Sequence, residues 1–159
     1  ITAGVPKPVF YQYIRKNNLE QAAHGIYVSK DAWVDGMYLL HLRCAQAVFS
    51  HESALFFHDL TDREPSPYSV SVQRGYSPTR LKADGITVYT VKKELYPIGI
   101  TSAKTPFGHT VPTYDMERTV CDLIRCRNDM EAQTFQDALK RYTKRTDKNL
   151  STLMQHSSA

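Results

Sequence analysis

The sequence predicts an α+β fold: a helix and a tight β-ribbon, then a mixed, mainly antiparallel sheet with helices, and a helical C-terminal part. Three observations indicate this class. Apolar residues recur at helical spacing in residues 6–17, and two short β-type runs follow at once. Polar and apolar residues alternate in residues 68–73, which is the period of a half-buried strand. Helical spacing returns from residue 116 onward.

Residues 6–17 are predicted to form a short helix. Prolines lie where the first helical turn tolerates them, and apolar side chains pair four residues apart, Val9 with Tyr13 and Phe10 with Ile14. The rest of the helix surface carries cations and polar or aromatic groups that can reach phosphates and bases: Lys7, Tyr11, Gln12, Arg15 and Lys16.

Residues 19–28 are predicted to form a β-ribbon that turns at His24 and Gly25. A helix followed by a tight ribbon is the second half of a winged helix-turn-helix, in which the helix enters the major groove of DNA. The ribbon then contacts the flanking backbone, so His24 joins the predicted DNA-binding set. The alternative is a helix and hairpin that pack on the body and bind no ligand.

The segment after the ribbon is predicted to contain two helices with a short strand between them. Asp35 is placed to cap the first helix, the strand covers residues 47–49, and Ser50 is placed to cap the second helix. His51 and His58 lie two helical turns apart without a third ligand nearby. We therefore expect both imidazoles to hydrogen-bond within the fold and not to bind a metal.

A polar linker with two prolines covers residues 61–67, and the sheet is predicted to follow it. The predicted strands cover residues 68–73, 86–91, 96–100 and 109–111.

An amphipathic helix after Asp115 is predicted to organise the second half of the chain. Its buried face would carry Met116, Val120, Leu123 and Ile124, and its flanks Glu117, Arg118, Asp122 and Arg125. Two more helices are predicted, one over residues 130–142 and one that begins in residues 150–154.

The composition of the 159 residues is typical of a globular protein, with 42% hydrophobic and 23% charged residues. Lys and Arg outnumber Asp and Glu by 20 to 16, which weakly favours an acidic partner such as nucleic acid. Three cysteines without zinc spacing indicate reduced thiols. Neither a membrane-spanning run nor a signal peptide is recognisable, so we expect a cytoplasmic protein that does not bind membranes.

A dense basic run lies between the last two predicted helices. Such a run is usually a solvated face, but it could also be a second phosphate contact. Its members in this possible second patch are Lys140, Arg141, Lys144 and Arg145.

A search for catalytic motifs finds no glycine-rich phosphate loop, no nucleophile elbow and no zinc-protease motif. The remaining possibility is a magnesium-dependent nuclease or phosphotransferase that uses Asp115, Glu117 and Asp122. Because Asp115 is equally well explained as a helix cap, we expect no catalytic residue, no metal and no cofactor.

Three segments together resemble the AbiEi family of antitoxins, the transcriptional regulators of bacterial type IV toxin–antitoxin systems. They are HGIYV at residues 24–28, FSHESALFFHDL at residues 49–60 and PTYDMERTVCDL at residues 112–123. Each landmark is short, so the resemblance rests on their order and separation across nearly the whole chain.

The resemblance implies two domains, a winged helix-turn-helix remnant at residues 1–30 and an antitoxin domain at residues 31–159. It implies repression of the protein's own operon through operator inverted repeats in double-stranded DNA. It also implies protection against phage by abortive infection, in which the protein counters a nucleotidyltransferase-like AbiEii toxin without a stable complex. Glu117 and Arg118 would be structural, with Glu117 positioning Arg118 or the turn before the helix.

The chain begins at Ile1 rather than Met, and the first helices of the DNA-binding module are absent from it, so we expect earlier elements. A third interpretation is a module that neutralises a toxin by direct contact and binds no DNA.

Overall fold

The computed structural model of the protein describes residues 4–158 and has an α+β fold. The α-helices of this part are α1 (Lys7–Lys16), α2 (Gly36–Arg43), α3 (His51–Phe57), α4 (Thr79–Ala83), α5 (Met116–Arg125), α6 (Ala132–Lys144) and α7 (Leu150–Ser157). Its strands are β1 (Leu19–Ala23), β2 (Ile26–Ser29), β3 (Val48–Phe49), β4 (Ser69–Gln73), β5 (Thr87–Val91), β6 (Ile100–Lys104) and β7 (Thr110–Tyr114). A short 3-10 helix, Arg127–Asp129, links α5 to α6.

Helix α1 and the antiparallel β1–β2 hairpin form the first part of the fold, as the local pattern predicts. Phe10 of α1 meets Tyr27 of β2 edge to face, with ring centroids 5.5 Å apart, and Ile14 is buried. Val9 and Tyr13, the other apolar pair of the helix, are 52% and 59% exposed. One edge of α1 therefore anchors it to the hairpin, and the remaining surface is open.

The central sheet has five strands in the order β5-β4-β3-β7-β6. Pairings β4–β5 and β3–β7 are parallel, whereas β3–β4 and β6–β7 are antiparallel. The sheet is mixed, as predicted. It is not mainly antiparallel, however, because it has two parallel and two antiparallel pairings.

Strand β4 is buried on both faces, so the prediction of a half-buried strand is wrong. Ser69 and Ser71 are as inaccessible as Val70 and Val72, because β4 lies between two strands and packs against α3. The serine hydroxyls are satisfied: Ser69 Oγ donates to the carbonyl of Ser50 at 2.6 Å, and Ser71 Oγ donates to Ser50 Oγ at 2.9 Å. Polar side chains that hydrogen-bond one another can be buried at little cost. The alternation of serine and valine in the sequence therefore does not distinguish a half-buried strand from a fully buried one.

The strand predicted at residues 96–100 is wrong, because this segment forms turns and the strand is β6. The turns wrap around one side chain: Nη1 of Arg118 donates to the carbonyls of Leu95 and Ile98, each at 2.9 Å. Gly99 sits against that arginine with a φ of 79°, a conformation that glycine adopts without strain.

Two apolar clusters fill the interior. The first lies around α2 and the sheet and includes Met37, Leu40, Phe49, Val70, Val72 and Val111. The second packs α5 against α3 and α6 and includes Leu55, Met116, Val120, Leu123, Ala138 and Tyr142. Within residues 4–158, no helix combines the length and the apolar character needed to cross a bilayer.

Helix α5 departs from its predicted pattern. Ile124, predicted to be buried, is 41% exposed, whereas Glu117, Arg118 and Asp122, predicted on the flanks, are buried. The reason is that α5 is packed by α3, α6 and α7 around most of its circumference, so its flanks become interior.

Candidate nucleic-acid interface

Helix α1 presents a cationic face to solvent. All six side chains predicted to contact DNA are exposed: Lys7, Tyr11, Gln12, Arg15, Lys16 and His24. Successive helical residues are about 100° apart, so Gln12 lies directly opposite the edge that Phe10 and Ile14 hold against the hairpin. Arg15 and Lys16 flank Gln12 in the last turns of the helix.

The cations of α1 are all exposed. In the part of the chain that the structure describes, Lys7, Arg15 and Lys16 form no ion pair with a carboxylate. The first turn of α1 also lacks acidic residues. An uncompensated cation loses little when it binds a phosphate, because no existing ion pair has to be broken.

His24 is exposed at the turn of the hairpin between β1 and β2. It lines a groove of about 690 Å³ between the hairpin and the body. Arg43 at the end of α2, Tyr76, and Arg80 of α4 line the other side of this groove. Arg80 had no role in the sequence prediction, because α4 is a single short turn with no apolar repeat to reveal it.

The possible second basic patch is largely engaged in contacts within the protein. Arg141 pairs with Asp62, and Arg145 pairs with Asp147 at 2.7 Å and donates to the carbonyl of His58 at 3.3 Å. The remaining members, Lys140 and Lys144, are exposed. Since both arginines already bind carboxylates, this geometry favours the solvated-face interpretation.

Arg118 is the centre of a buried network on α5. Its Nε atom lies 3.1 and 3.0 Å from the two oxygens of Asp122, and its guanidinium lies 4.6 Å from the centroid of the Tyr114 ring. Asp115 caps the helix, as predicted, by accepting the backbone N–H of Arg118 at 2.7 Å. Burial raises the pKa of Asp122 despite the arginine beside it. The hydrogen bonds of Nε and Nη1 of Arg118 help to offset the cost of burying this ion pair.

Glu117 makes a contact with α7 that the sequence analysis did not predict. Its Oε1 accepts the backbone N–H of Asn149 at 2.7 Å, where α7 begins. Asp115 also contacts α7, since its Oδ2 lies 3.1 Å from Nε2 of His156. These carboxylates fasten the last helix to α5, which is a structural role.

The same contacts bear on the magnesium hypothesis. Asp115, Glu117 and Asp122 each have a protein partner, and they point to different partners rather than to one space. Among residues 4–158, no group of three or more His, Cys, Asp or Glu side chains is placed to hold a metal ion. The arrangement therefore favours structural roles for these carboxylates.

The two central histidines make internal contacts. His51 stacks on Tyr89 with ring centroids 3.4 Å apart, and its Nδ1 lies 3.0 Å from Ser50 Oγ. Burial, with a further contribution from the charge of Arg118, lowers the pKa of His51 to about 4. Nε2 of His58 lies 2.7 Å from the carbonyl oxygen of Tyr114.

Three helix caps were predicted, and two are found, at Asp115 and Asp35. Asp35 caps α2 by accepting the backbone N–H of Tyr38 at 3.0 Å. Ser50 stands at the start of α3 without a capping hydrogen bond, because its hydroxyl bonds His51 and Ser71 instead.

Asp35 also holds a contact that local sequence patterns do not reveal. Its Oδ2 accepts the Thr105 hydroxyl at 2.5 Å and lies 2.8 Å from Nδ1 of His109, whose ring stacks on Tyr38. Burial alone would raise the pKa of Asp35, but these hydrogen bonds and that of Tyr38 lower it. One carboxylate thus fastens the β6–β7 turn to the start of α2.

No family model matches the chain, and no curated protein matches it. The resemblance to AbiEi antitoxins therefore rests on the three sequence segments alone.

Proposed function

We propose that this protein is a DNA-binding antitoxin that represses its own operon in a bacterial type IV toxin–antitoxin system, and that it is not an enzyme. The observation that carries the proposal is the exposed cationic face of α1, which a single apolar edge anchors to the β1–β2 hairpin. A helix held in this way projects its outer face, as a groove-reading helix must.

In this proposal, α1 is the recognition helix of a winged helix-turn-helix and the hairpin is its wing. Gln12 is central on the exposed face, and its amide suits the donor and acceptor pattern of adenine in the major groove. Arg15 reads guanine or binds phosphate, and Lys16 binds phosphate beside Gln12. Lys7, about 140° around the helix from Gln12, contacts phosphate at the N-terminal end of α1. His24, at the tip of the wing, contacts the flanking backbone.

The antitoxin half of the proposal assigns residues 31–159 to the neutralisation of a nucleotidyltransferase-like AbiEii toxin without a stable complex. Its support is the resemblance of the segments at residues 49–60 and 112–123. These segments lie within the body: the first contains α3, and the second contains the end of β7 and most of α5.

The test is a gel-shift titration of the full-length protein with its own promoter DNA and with a scrambled duplex, at two salt concentrations. We expect tighter, salt-sensitive retention of the promoter. The Arg15→Ala/Lys16→Ala variant should bind both duplexes more weakly and lower the slope of log K against log salt by about 2. Lys92→Ala/Lys93→Ala is the matched control, because it removes two adjacent exposed lysines outside α1.

Equal affinity of wild type and the Arg15→Ala/Lys16→Ala variant would overturn the assignment of α1. Absence of binding to either duplex would remove the DNA-binding half of the proposal. Co-purification with the toxin would then test the direct-contact interpretation.

A further inference from the structure

We propose that the groove between the hairpin and α4 binds the phosphate backbone of the same DNA duplex, with Arg80 as its principal contact. This inference rests on the proposed function and extends the DNA surface from the first thirty residues onto the body. Phosphate contacts of this kind fix the register of a protein on DNA without reading bases.

The groove has two walls from distant parts of the chain. Ala22, Ala23 and His24 of the hairpin form one wall, and Arg43, Tyr76 and Arg80 belong to the other. Its volume of about 690 Å³ makes it a broad, open depression. Ala22 and Ala23 add only methyl groups to the hairpin side, so a sugar-phosphate chain can approach that part of the wall closely.

The cations of the groove differ in availability. Arg43 forms an ion pair with Asp84 at 2.5 Å, so its charge is already compensated. Arg80 is exposed, and within the described chain it has neither an ion pair nor a side-chain hydrogen bond. Arg80 is therefore the guanidinium that is free to form a two-pronged contact with phosphate oxygens.

Tyr76 supplies a neutral donor beside Arg80. Its hydroxyl accepts a hydrogen bond from Cys44 Sγ at 3.2 Å. The neighbouring Cys44 side chain and burial raise the pKa of Tyr76. The phenol is thus protonated at neutral pH, and its O–H can be donated to a phosphate oxygen.

Continuity with the wing identifies the occupant as duplex DNA. His24 belongs both to the hairpin turn that contacts the flanking backbone in the proposed complex and to the wall of the groove. A duplex that touches this turn has its backbone at the mouth of the groove. The guanidinium of Arg80, which has no ion pair within the described residues, complements a polyanion.

The first variant is Arg80→Ala, measured by the same titration over a range of salt. Each phosphate contact contributes about 0.9 to the salt slope, so we expect a slope lower by about 1 and, at 0.1 M salt, about eightfold weaker binding. The loss should be equal for promoter and scrambled DNA. Arg63→Ala is the matched control, because Arg63 is exposed and lines a different cleft that shares no residue with this groove.

For the second variant, Asp84→Asn, we expect tighter binding to DNA. It frees Arg43 from its carboxylate partner, so affinity and salt slope should both rise. A gain of binding cannot result from misfolding, and it therefore complements the loss expected for Arg80→Ala.

The outcomes separate this inference from the proposed function. If wild type binds its promoter and Arg15→Ala/Lys16→Ala weakens binding, but Arg80→Ala and Asp84→Asn behave as wild type, the groove contact is overturned and the repressor stands. If wild type binds neither duplex, both proposals fail together. Weaker binding with Arg80→Ala and tighter binding with Asp84→Asn, beside an unchanged Arg63→Ala, establishes the contact.

Discussion

Arg118 and Asp122 form a buried ion pair on α5, with Nε of the arginine 3.1 and 3.0 Å from the two carboxylate oxygens. The same guanidinium donates to two main-chain carbonyls of the turn segment before β6. One side chain thus organises the helix, the turns and the edge of the sheet.

Replacing Arg118 with Ala should lower the free energy of unfolding by about 3–5 kcal/mol, because it leaves the Asp122 carboxylate buried without its partner. Two carbonyls of the turn segment also lose their donor. Urea denaturation measures this change. Arg125→Ala is the control, since Arg125 also bonds Asp122 but its side chain is 40% exposed, and it should cost about 1 kcal/mol or less. Equal costs for the two arginines would contradict the central role of Arg118.

Gly99 should not tolerate a side chain. Its φ of 79° disfavours any L-residue, and an added Cβ would meet Cβ of Arg118 at 2.9 Å and Oδ2 of Asp115 at 3.0 Å. Gly108 has a similar φ of 86° with nothing near the added atom. We therefore expect Gly108→Ala to cost about 1–2 kcal/mol from the backbone alone. Gly99→Ala should cost clearly more by thermal or urea unfolding, and similar costs would show that the close contact relaxes freely.

His51 should make stability depend on pH. Its pKa in the folded protein is about 4, below the ordinary value of 6.5, so the unfolded chain takes up a proton first as the pH falls. The free energy of unfolding is therefore unaffected by His51 well above pH 6.5. It decreases as the pH falls to about 4, and the loss then levels off at up to about 3 kcal/mol.

Replacement by Asn provides the test, because Asn tolerates the positive φ of 51° at this position and does not titrate. His51→Asn should be less stable than wild type at pH 7, where the stacking on Tyr89 is lost. The difference in urea midpoint should then narrow as the pH falls from 7 to 4. Parallel curves across this range would refute the assignment to His51.

The sequence predicts α1 and the hairpin correctly, because both follow from local spacing: the i, i+4 apolar pairs and a Gly-containing turn. Long-range packing decides what local spacing cannot. Arg118 has the position of a helix flank in the sequence pattern, yet it is 3% exposed since three other helices enclose α5. The segment at residues 96–100 has strand-like composition, but the carbonyls of Ile98 and of the preceding Leu95 accept hydrogen bonds from Arg118.

The sequence likewise predicts only part of the candidate interface. The exposed residues of α1 are recognisable from the helical repeat, since they lie opposite its apolar edge. Arg80 is not, because only the folded chain brings it to the same groove as His24. The sequence also does not show which arginine is free to bind a phosphate. Arg43 and Arg80 differ in this respect only because Arg43 pairs with Asp84 in the folded protein.

A substitution of Gln12 separates base recognition by α1 from its binding to phosphates. It is uncharged and lies at the centre of the exposed face, so its loss should weaken promoter binding without changing the salt slope. We expect Gln12→Ala to cost about 1–3 kcal/mol on the promoter and little on the scrambled duplex, because only the promoter presents the matching base edge. Competition titrations at one salt concentration measure this ratio. An equal loss on both duplexes would instead make Gln12 a backbone contact, and base reading would then have to come from other residues such as Arg15.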